Sequence, residues 1–308
     1  MSVNKTFHLS GVVPILATPF HPDERIDSRS IQQLIQFMAD LNVNGATILG
    51  VLGEANRLTD AERSDVIRTA VSASRGRLPI IVGTSHEGTY ACEELSRMAA
   101  DLGADAVMVA PYAGPGLTAD RIYALYERVA LACELPIVVQ DHPASTGVQM
   151  PTELLLRLIK DIPQVVCIKA ESVPTAPKIS ALKAAMQRPV SILTGLGGLY
   201  AFFDLSSGSD GFMTGFAFPE ILQHMVKAMQ VGNISRVRTL YQRFLPLIVF
   251  EQQPGVAIRK EILHRRRLIS SATVRHPGCP AARDHIAQID SLINWIMPDC
   301  DIKKPLII

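Results

Sequence analysis

A single lysine closes an apolar run in Val165-Val166-Cys167-Ile168-Lys169-Ala170-Glu171. The four apolar residues ahead of Lys169 read as a strand of a parallel sheet covered on both faces. An amine in such surroundings is costly to keep protonated, and burial pushes its pKa down. A lysine tuned in this way is a nucleophile toward ketones and can form a Schiff base. The other reading is a lysine just past the strand end, its stem buried and its head in water. Side chains alternate along a strand, so Cys167, Lys169 and Glu171 share one face if the strand runs that far. Glu171 is then the nearest candidate base, with a salt bridge at the strand rim as its alternative role.

Holding such a lysine takes a particular architecture. Short apolar runs fall at 12–17, 45–49, 79–83, 104–110, 136–140, 165–169, 190–193 and 211–214. Amphipathic stretches separate them. Ile31, Leu34, Ile35 and Met38 mark the first helix, and others are predicted at 61–74, 88–102, 119–133, 151–161, 174–186, 197–206 and 218–231. Thr59-Asp60-Ala61-Glu62 forms a capping box with Thr59 as N-cap. Eight strand–helix repeats in about 230 residues indicate a closed parallel (β/α)8 TIM barrel. An open doubly wound sheet is the alternative, but no G-x-G-x-x-G follows the first strand. Residues 1–232 are therefore assigned to the barrel. Residues 233–308 are assigned to additional C-terminal helices, a helical extension of the same domain.

Chemistry in such barrels sits at the C-terminal ends of the strands. The groups there are Gly50-Val51-Leu52-Gly53-Glu54, Thr84-Ser85-His86, Pro111-Tyr112, Gln140-Asp141-His142-Pro143, Lys169-Ala170-Glu171, Thr194-Gly195 and Met213-Thr214-Gly215. His86 is either a contact for substrate hydroxyls or a hydrogen-bonded supporting histidine. His142, in a turn before Pro143, reads as structural or solvent-facing. Glu54 reads as a brace for its loop. The run Arg265-Arg266-Arg267 reads as a solvated or intersubunit face.

Composition narrows the function classes. The 308 residues are 48% hydrophobic and 19% charged, and the net charge is +1. Nothing there suggests a nucleic-acid partner or an acidic membrane surface. No apolar run reaches the roughly 18 residues of a membrane span. Met1–Thr6 opens no signal peptide. The five cysteines (Cys92, Cys133, Cys167, Cys279 and Cys300) are scattered, with no CxxC pair. Neither a zinc site nor a disulfide framework is expected, and a reducing cytoplasm fits best. No metal and no organic cofactor are expected, because an iminium itself serves as an electron sink.

These strand ends carry a family resemblance. Over nearly its whole length the chain resembles the dihydrodipicolinate synthase / N-acetylneuraminate lyase superfamily. The matching pieces are Gly50-Val51-Leu52-Gly53-Glu54 against G-T/S-T-G-E, Gln140-Asp141-His142-Pro143-Ala144-Ser145-Thr146-Gly147 against Y-N-x-P-x-x-T-G, and Ile168-Lys169 against the Schiff-base lysine motif. The resemblance implies that Lys169 condenses with the C2 ketone of a pyruvate-like substrate. It also implies a homo-oligomer, tetramer or dimer. Three departures stand out. Val51-Leu52 replaces the hydroxyl pair, leaving backbone N–H groups to hold a carboxylate. Gln140 replaces the proton-shuttling tyrosine, and Ala113 a second tyrosine. Glutamine does not titrate near neutral pH, so synthase chemistry is disfavoured.

One branch, the 2-keto-3-deoxy-L-arabonate dehydratases, is similar in these places. It has V-Q-D-x-P-A-S at Val139–Ser145, K-x-E at Lys169–Glu171, T-S-H at Thr84–His86, M-T-G-x-x-F-P at Met213–Pro219 and R-H-P at Arg275–Pro277. Ala113 and Gly53 depart from it. The resemblance implies a lyase that dehydrates a 2-keto-3-deoxy sugar acid. Lys169, Glu171 and Tyr112 are the catalytic candidates. Val51, Leu52, His86, Gln140, Gly195, Met213 and Thr214 are the candidates for substrate binding. A pyruvate-dependent aldolase or a synthase-like enzyme is the alternative. A non-catalytic sugar-acid-binding barrel is a third reading, but such a protein gains nothing from a buried amine.

Overall fold

The computed structural model describes residues 7–253 and 255–306. Residues 1–6, read above for a leader, lie outside the described residues. Eight strands form one sheet: β1 (Gly11–Pro14), β2 (Ala46–Ile48), β3 (Ile80–Gly83), β4 (Ala106–Val109), β5 (Ile137–Asp141), β6 (Val165–Ala170), β7 (Ser191–Thr194) and β8 (Gly211–Thr214). Every neighbouring pair is parallel, in the order β1-β8-β7-β6-β5-β4-β3-β2. Between β1 and β2 the ring closes without a full ladder. One bridge joins Ile15 to Thr47, with the Leu16 N–H donating to the Thr47 carbonyl at 2.8 Å. The Asn44 N–H donates to the Val12 carbonyl at 2.8 Å, and side chains add to the seam. Asn44 Oδ1 accepts from the Val12 amide at 3.0 Å, and the Thr18 hydroxyl donates to the Gly53 carbonyl at 2.6 Å. The architecture is the expected (β/α)8 barrel.

The helices are α1 (Ser28–Asp40), α2 (Asp60–Ser74), α3 (Thr89–Asp101), α4 (Ala119–Cys133), α5 (Pro143–Thr146), α6 (Thr152–Asp161), α7 (Thr175–Ala185), α8 (Ala201–Ser206), α9 (Pro219–Gln230), α10 (Ile234–Glu251), α11 (Val256–Arg265) and α12 (Arg283–Ile296). None is long and apolar enough to cross a membrane among the described residues. The Thr59 capping box forms as expected. The single turn α5 was not anticipated. Proline starts it without losing a bonded N–H, and Gly147 ends it at φ 71°. The helix expected over 197–206 begins only at Ala201. Leu196, Gly197 and Gly198 all have positive φ and form a tight turn instead.

Two apolar layers hold the barrel. Inward residues, among them Val13, Ile81, Met108, Val138, Cys167, Leu193 and Met213, fill its centre. Outward residues pack under the helices in a second, larger layer.

Ion pairs dock the C-terminal helices on the mouth. Glu54 is 2% exposed, and its carboxylate meets Lys260 Nζ of α11 at 2.5 Å and Arg57 at 2.6 Å. Burial pulls the Lys260 ammonium down to about 8, against the opposing pull of Glu54. Arg275 grips Glu62 with both guanidinium nitrogens, at 2.9 and 2.7 Å, and holds that carboxyl down at about 2. Glu54 is thus a brace, as its sequence context suggests. The run at 265–267, read as a solvated or intersubunit face, divides: Arg267 is exposed and Arg265 half-buried, whereas Arg266, capping α11, is 1% exposed and bonds Glu220 at 2.6 Å beneath Phe218.

Removing one partner of a buried pair strands the other charge. Glu54→Ala is expected to lower stability in urea denaturation by about 3–5 kcal/mol. Glu54→Met combined with Lys260→Met recovers most of that loss.

Candidate active site

Strand register builds the centre of the site. Gln140 on β5 lies beside Lys169 on β6, and Lys169 lies beside Leu193 on β7. Glu171 follows the last residue of β6, so strand parity returns its side chain to the face of Lys169. Its Oε2 lies 2.9 Å from Lys169 Nζ, with the two side chains 5% and 6% exposed. Gln140 Nε2 donates to the same oxygen at 2.8 Å, and the Leu196 amide donates to Oε1 at 3.1 Å. His142 Nδ1 stands 3.9 Å away and is held by Ser145 Oγ at 2.7 Å.

The chain makes room for this cluster at Gly195. A Cβ there would overlap the Cγ and carboxyl of Glu171. Burial alone would raise the Glu171 carboxyl. The charge of Lys169, His142 and the Gln140 hydrogen bond outweigh it, and the net effect is downward. Glu171 is therefore an ionised carboxylate at neutral pH. Burial lowers His142, against the pull of Glu171, so the imidazole is neutral there.

Two adjoining cavities serve this centre. The inner one, about 100 Å³, is lined by Lys169, Glu171, Gln140 and His142, and also by Val51, Leu52, Thr214, Gly215, Gln252 and Arg259. The outer one, about 370 Å³, is lined by Ser85, His86, Tyr112, Arg63, Asn56 and Ser145. Val51 and Gln140 border both. The turn Val51–Gly53 puts the Val51 and Leu52 amides at its start, with no protein acceptor for either among the described residues.

The proposed residues thus divide. Lys169, Glu171, Gln140, Val51, Leu52 and Thr214 come together, and Gly195 shapes the pocket floor. Thr214 Oγ1 also accepts the Gly197 amide at 2.6 Å. Tyr112 and His86 belong to the outer cavity, away from the lysine. Burial keeps the Tyr112 hydroxyl protonated, with Glu87 adding to the effect. His86 Nδ1 accepts the Gly88 amide at 3.0 Å. Met213 does not reach either cavity. It is fully buried in the barrel centre, since the inward position at 213 lies below the mouth.

His142, read as structural or solvent-facing, lines the inner cavity on the face it shares with Gln140, and sequence reasoning missed Gln252 and Arg259. These two come from α10's end and α11, whose docking over the mouth leaves no local signal.

A parallel barrel with a buried lysine–carboxylate pair at the mouth has the form of a Schiff-base lyase. The dihydrodipicolinate synthetase family model matches residues 8–296. The chain belongs to that family, whose enzymes are lyases of the Schiff-base, class I aldolase type. It is 33% identical to an L-2-keto-3-deoxyarabonate dehydratase of Azospirillum brasilense, over 97% of this chain and 98% of that one. It is 32% identical to a 4-hydroxy-tetrahydrodipicolinate synthase of Kosmotoga olearia, over 96% and 99%. A crystal structure of dihydrodipicolinate synthase from Rhodopseudomonas palustris superposes with a TM-score of 0.87 at 36% identity, covering 93% of this chain and 97% of that one.

Two expectations follow from the geometry. Gly195→Ala pushes the Glu171 carboxylate off Lys169, and kcat is expected to fall by about 10² or more if that carboxylate is the base. The Glu171 carboxyl itself should titrate below the ordinary value of 4.5. Gln140→Met removes a hydrogen bond to the charged form, so the titration moves to higher pH. Carbon NMR of the labelled carboxyl reads both, and an unmoved midpoint in Gln140→Met contradicts the assignment.

Proposed function

We propose that the chain is a Schiff-base dehydratase of a 2-keto-3-deoxy sugar acid, with 2-keto-3-deoxy-L-arabonate as the favoured substrate. The observation that carries this reading is the contact of Lys169 with Glu171 where Gln140 occupies the place of a proton-shuttling tyrosine. The similarity to a named dehydratase supports it. The synthases match at nearly the same identity, so identity alone does not choose between the activities.

The Lys169 amine adds to the C2 carbonyl, and loss of water gives an iminium. The iminium withdraws electrons from C3. Glu171, beside the new C=N bond, takes a C3 proton and leaves an enamine. The enamine electrons then expel the C4 hydroxyl, which departs as water with the proton from Glu171. Water adds to the resulting unsaturated iminium, releasing an unsaturated 2-oxo acid and the free lysine.

Breaking C3–C4 instead requires a base on the C4 hydroxyl. Gln140 cannot take that proton, which favours dehydration over aldol cleavage. The polyhydroxylated end of the substrate extends past Gln140 into the outer cavity. There His86, Ser85, Tyr112 and Arg63 offer hydrogen bonds to hydroxyls.

Borohydride reduction in the presence of substrate is expected to fix an adduct on Lys169, mapped by mass spectrometry and absent in Lys169→Ala. Glu171→Gln should keep the adduct and cut turnover by about 10²–10⁴. A product assay over a panel of 2-keto-3-deoxy acids decides the reaction. Water loss without pyruvate is expected, whereas pyruvate as the main product makes the enzyme an aldolase.

A further inference from the structure

Arg259 lines the inner cavity with Nη1 of its guanidinium unpartnered among the described residues. The residue is 3% exposed, and its Nε donates to Glu251 Oε2 at 3.0 Å. Both Glu251 oxygens also receive the Ala217 amide, at 3.2 Å. Nη1 is buried and has no hydrogen-bond partner among the described residues. An arginine stays charged even when buried. An orphaned N–H on a buried cation costs free energy unless something fills the site.

Nη1 points toward Gly215, where a Cβ would come within 3.0 Å of it and would overlap Leu52 Cδ1. Arg259, Leu52 and Lys169 therefore line one small cavity. That space lacks the hydroxyls expected from the family pattern at positions 51 and 52.

We propose that Arg259, delivered by α11, is the carboxylate anchor of the site and takes the C1 carboxylate of a 2-oxo acid on Nη1. The assignment rests on the Schiff-base reading of Lys169. A 2-oxo acid joined to Lys169 through C2 carries two arms. The carbon chain needs the roomy outer cavity beyond Gln140. The carboxylate is left with the opposite, inner end, where the free guanidinium N–H and the Leu52 amide supply positive and donor groups. Two donors on a planar fork suit a carboxylate, and engaging Glu251 through Nε leaves the other edge free for it. The C-terminal helices thereby contribute a substrate contact to the barrel.

The test compares two ketones in reductive trapping with cyanoborohydride: pyruvate, and hydroxyacetone, which has CH₂OH in place of the carboxylate. Arg259→Met combined with Glu251→Gln removes the anchor and its counter-charge together. It is expected to raise the pyruvate concentration for half-maximal adduct on Lys169 by about 10- to 100-fold, as for loss of a charged hydrogen bond. The hydroxyacetone value should stay within about twofold, scatter comparable to that of ordinary substitutions away from a contact. Should that variant fail to fold by near-ultraviolet circular dichroism, Arg259→Lys decides. Its single ammonium cannot serve Glu251 and the cavity together, so pyruvate trapping weakens about tenfold with hydroxyacetone unchanged. Wild-type pyruvate trapping in a folded variant, or equal loss with both ketones, overturns the anchor while leaving the Schiff-base reading intact. No Lys169 adduct in the wild type overturns both.

Discussion

The contact between the Lys169 amine and the Glu171 carboxylate organises everything around it. Two ionisable groups taken out of water together require close geometry and further hydrogen bonds, or the desolvation cost exceeds the attraction. The neighbouring elements meet that requirement. β5 brings Gln140, the turn after β7 brings the Leu196 amide, and Gly195 gives up its side chain so that the carboxylate fits. Moving any of these displaces the Glu171 carboxylate from the Lys169 amine. The three consecutive positive-φ residues after β7 belong to the same constraint, since they aim the Leu196 amide at Glu171.

A second set of buried pairs binds the C-terminal helices to the strand ends. Lys260 with Glu54 fixes α11 to the loop after β2, and Arg275 with Glu62 fixes the following segment to α2. Adjacent residues of one helix thus divide the work: Lys260 anchors the helix, and Arg259 faces the cavity. The loop carrying Val51 and Leu52 is held by the same pair, so the two halves of the inner end of the site are positioned by one interaction.

Much of this was legible in the sequence because it depends on short-range periodicity. Alternation along β6 was enough to place Glu171 with Lys169, and repeated apolar runs were enough for the barrel. Gln140 was legible for the same reason. Met213 was taken from the motif at Met213–Pro219, which marks a strand end but not the depth of each residue along the barrel axis, and it lies buried in the barrel centre. His142 was read as structural or solvent-facing because it precedes a proline turn, which it caps, and from there it also lines the inner cavity. Arg259 and Arg266 were not legible at all. Each sits among charged neighbours in a helix, a pattern normally seen on wet surfaces, and their burial comes from a docking that spans the chain. Tyr112 looked suited to proton transfer by type, yet the path of its loop takes it to the outer cavity.

The seam between β1 and β2 leaves the main-chain bonding uneven around the ring. Seven of the eight junctions are ladders of main-chain hydrogen bonds, which share load along their length. The eighth is one bridge with two main-chain hydrogen bonds, Asn44 N–H to the Val12 carbonyl and Leu16 N–H to the Thr47 carbonyl, and two side-chain stitches from Asn44 and Thr18. Around the ring, that junction lies opposite the β5–β6 pair on which the lysine, the carboxylate and the glutamine stand. The junction with a single bridge is thus the one farthest around the ring from Lys169, Glu171 and Gln140.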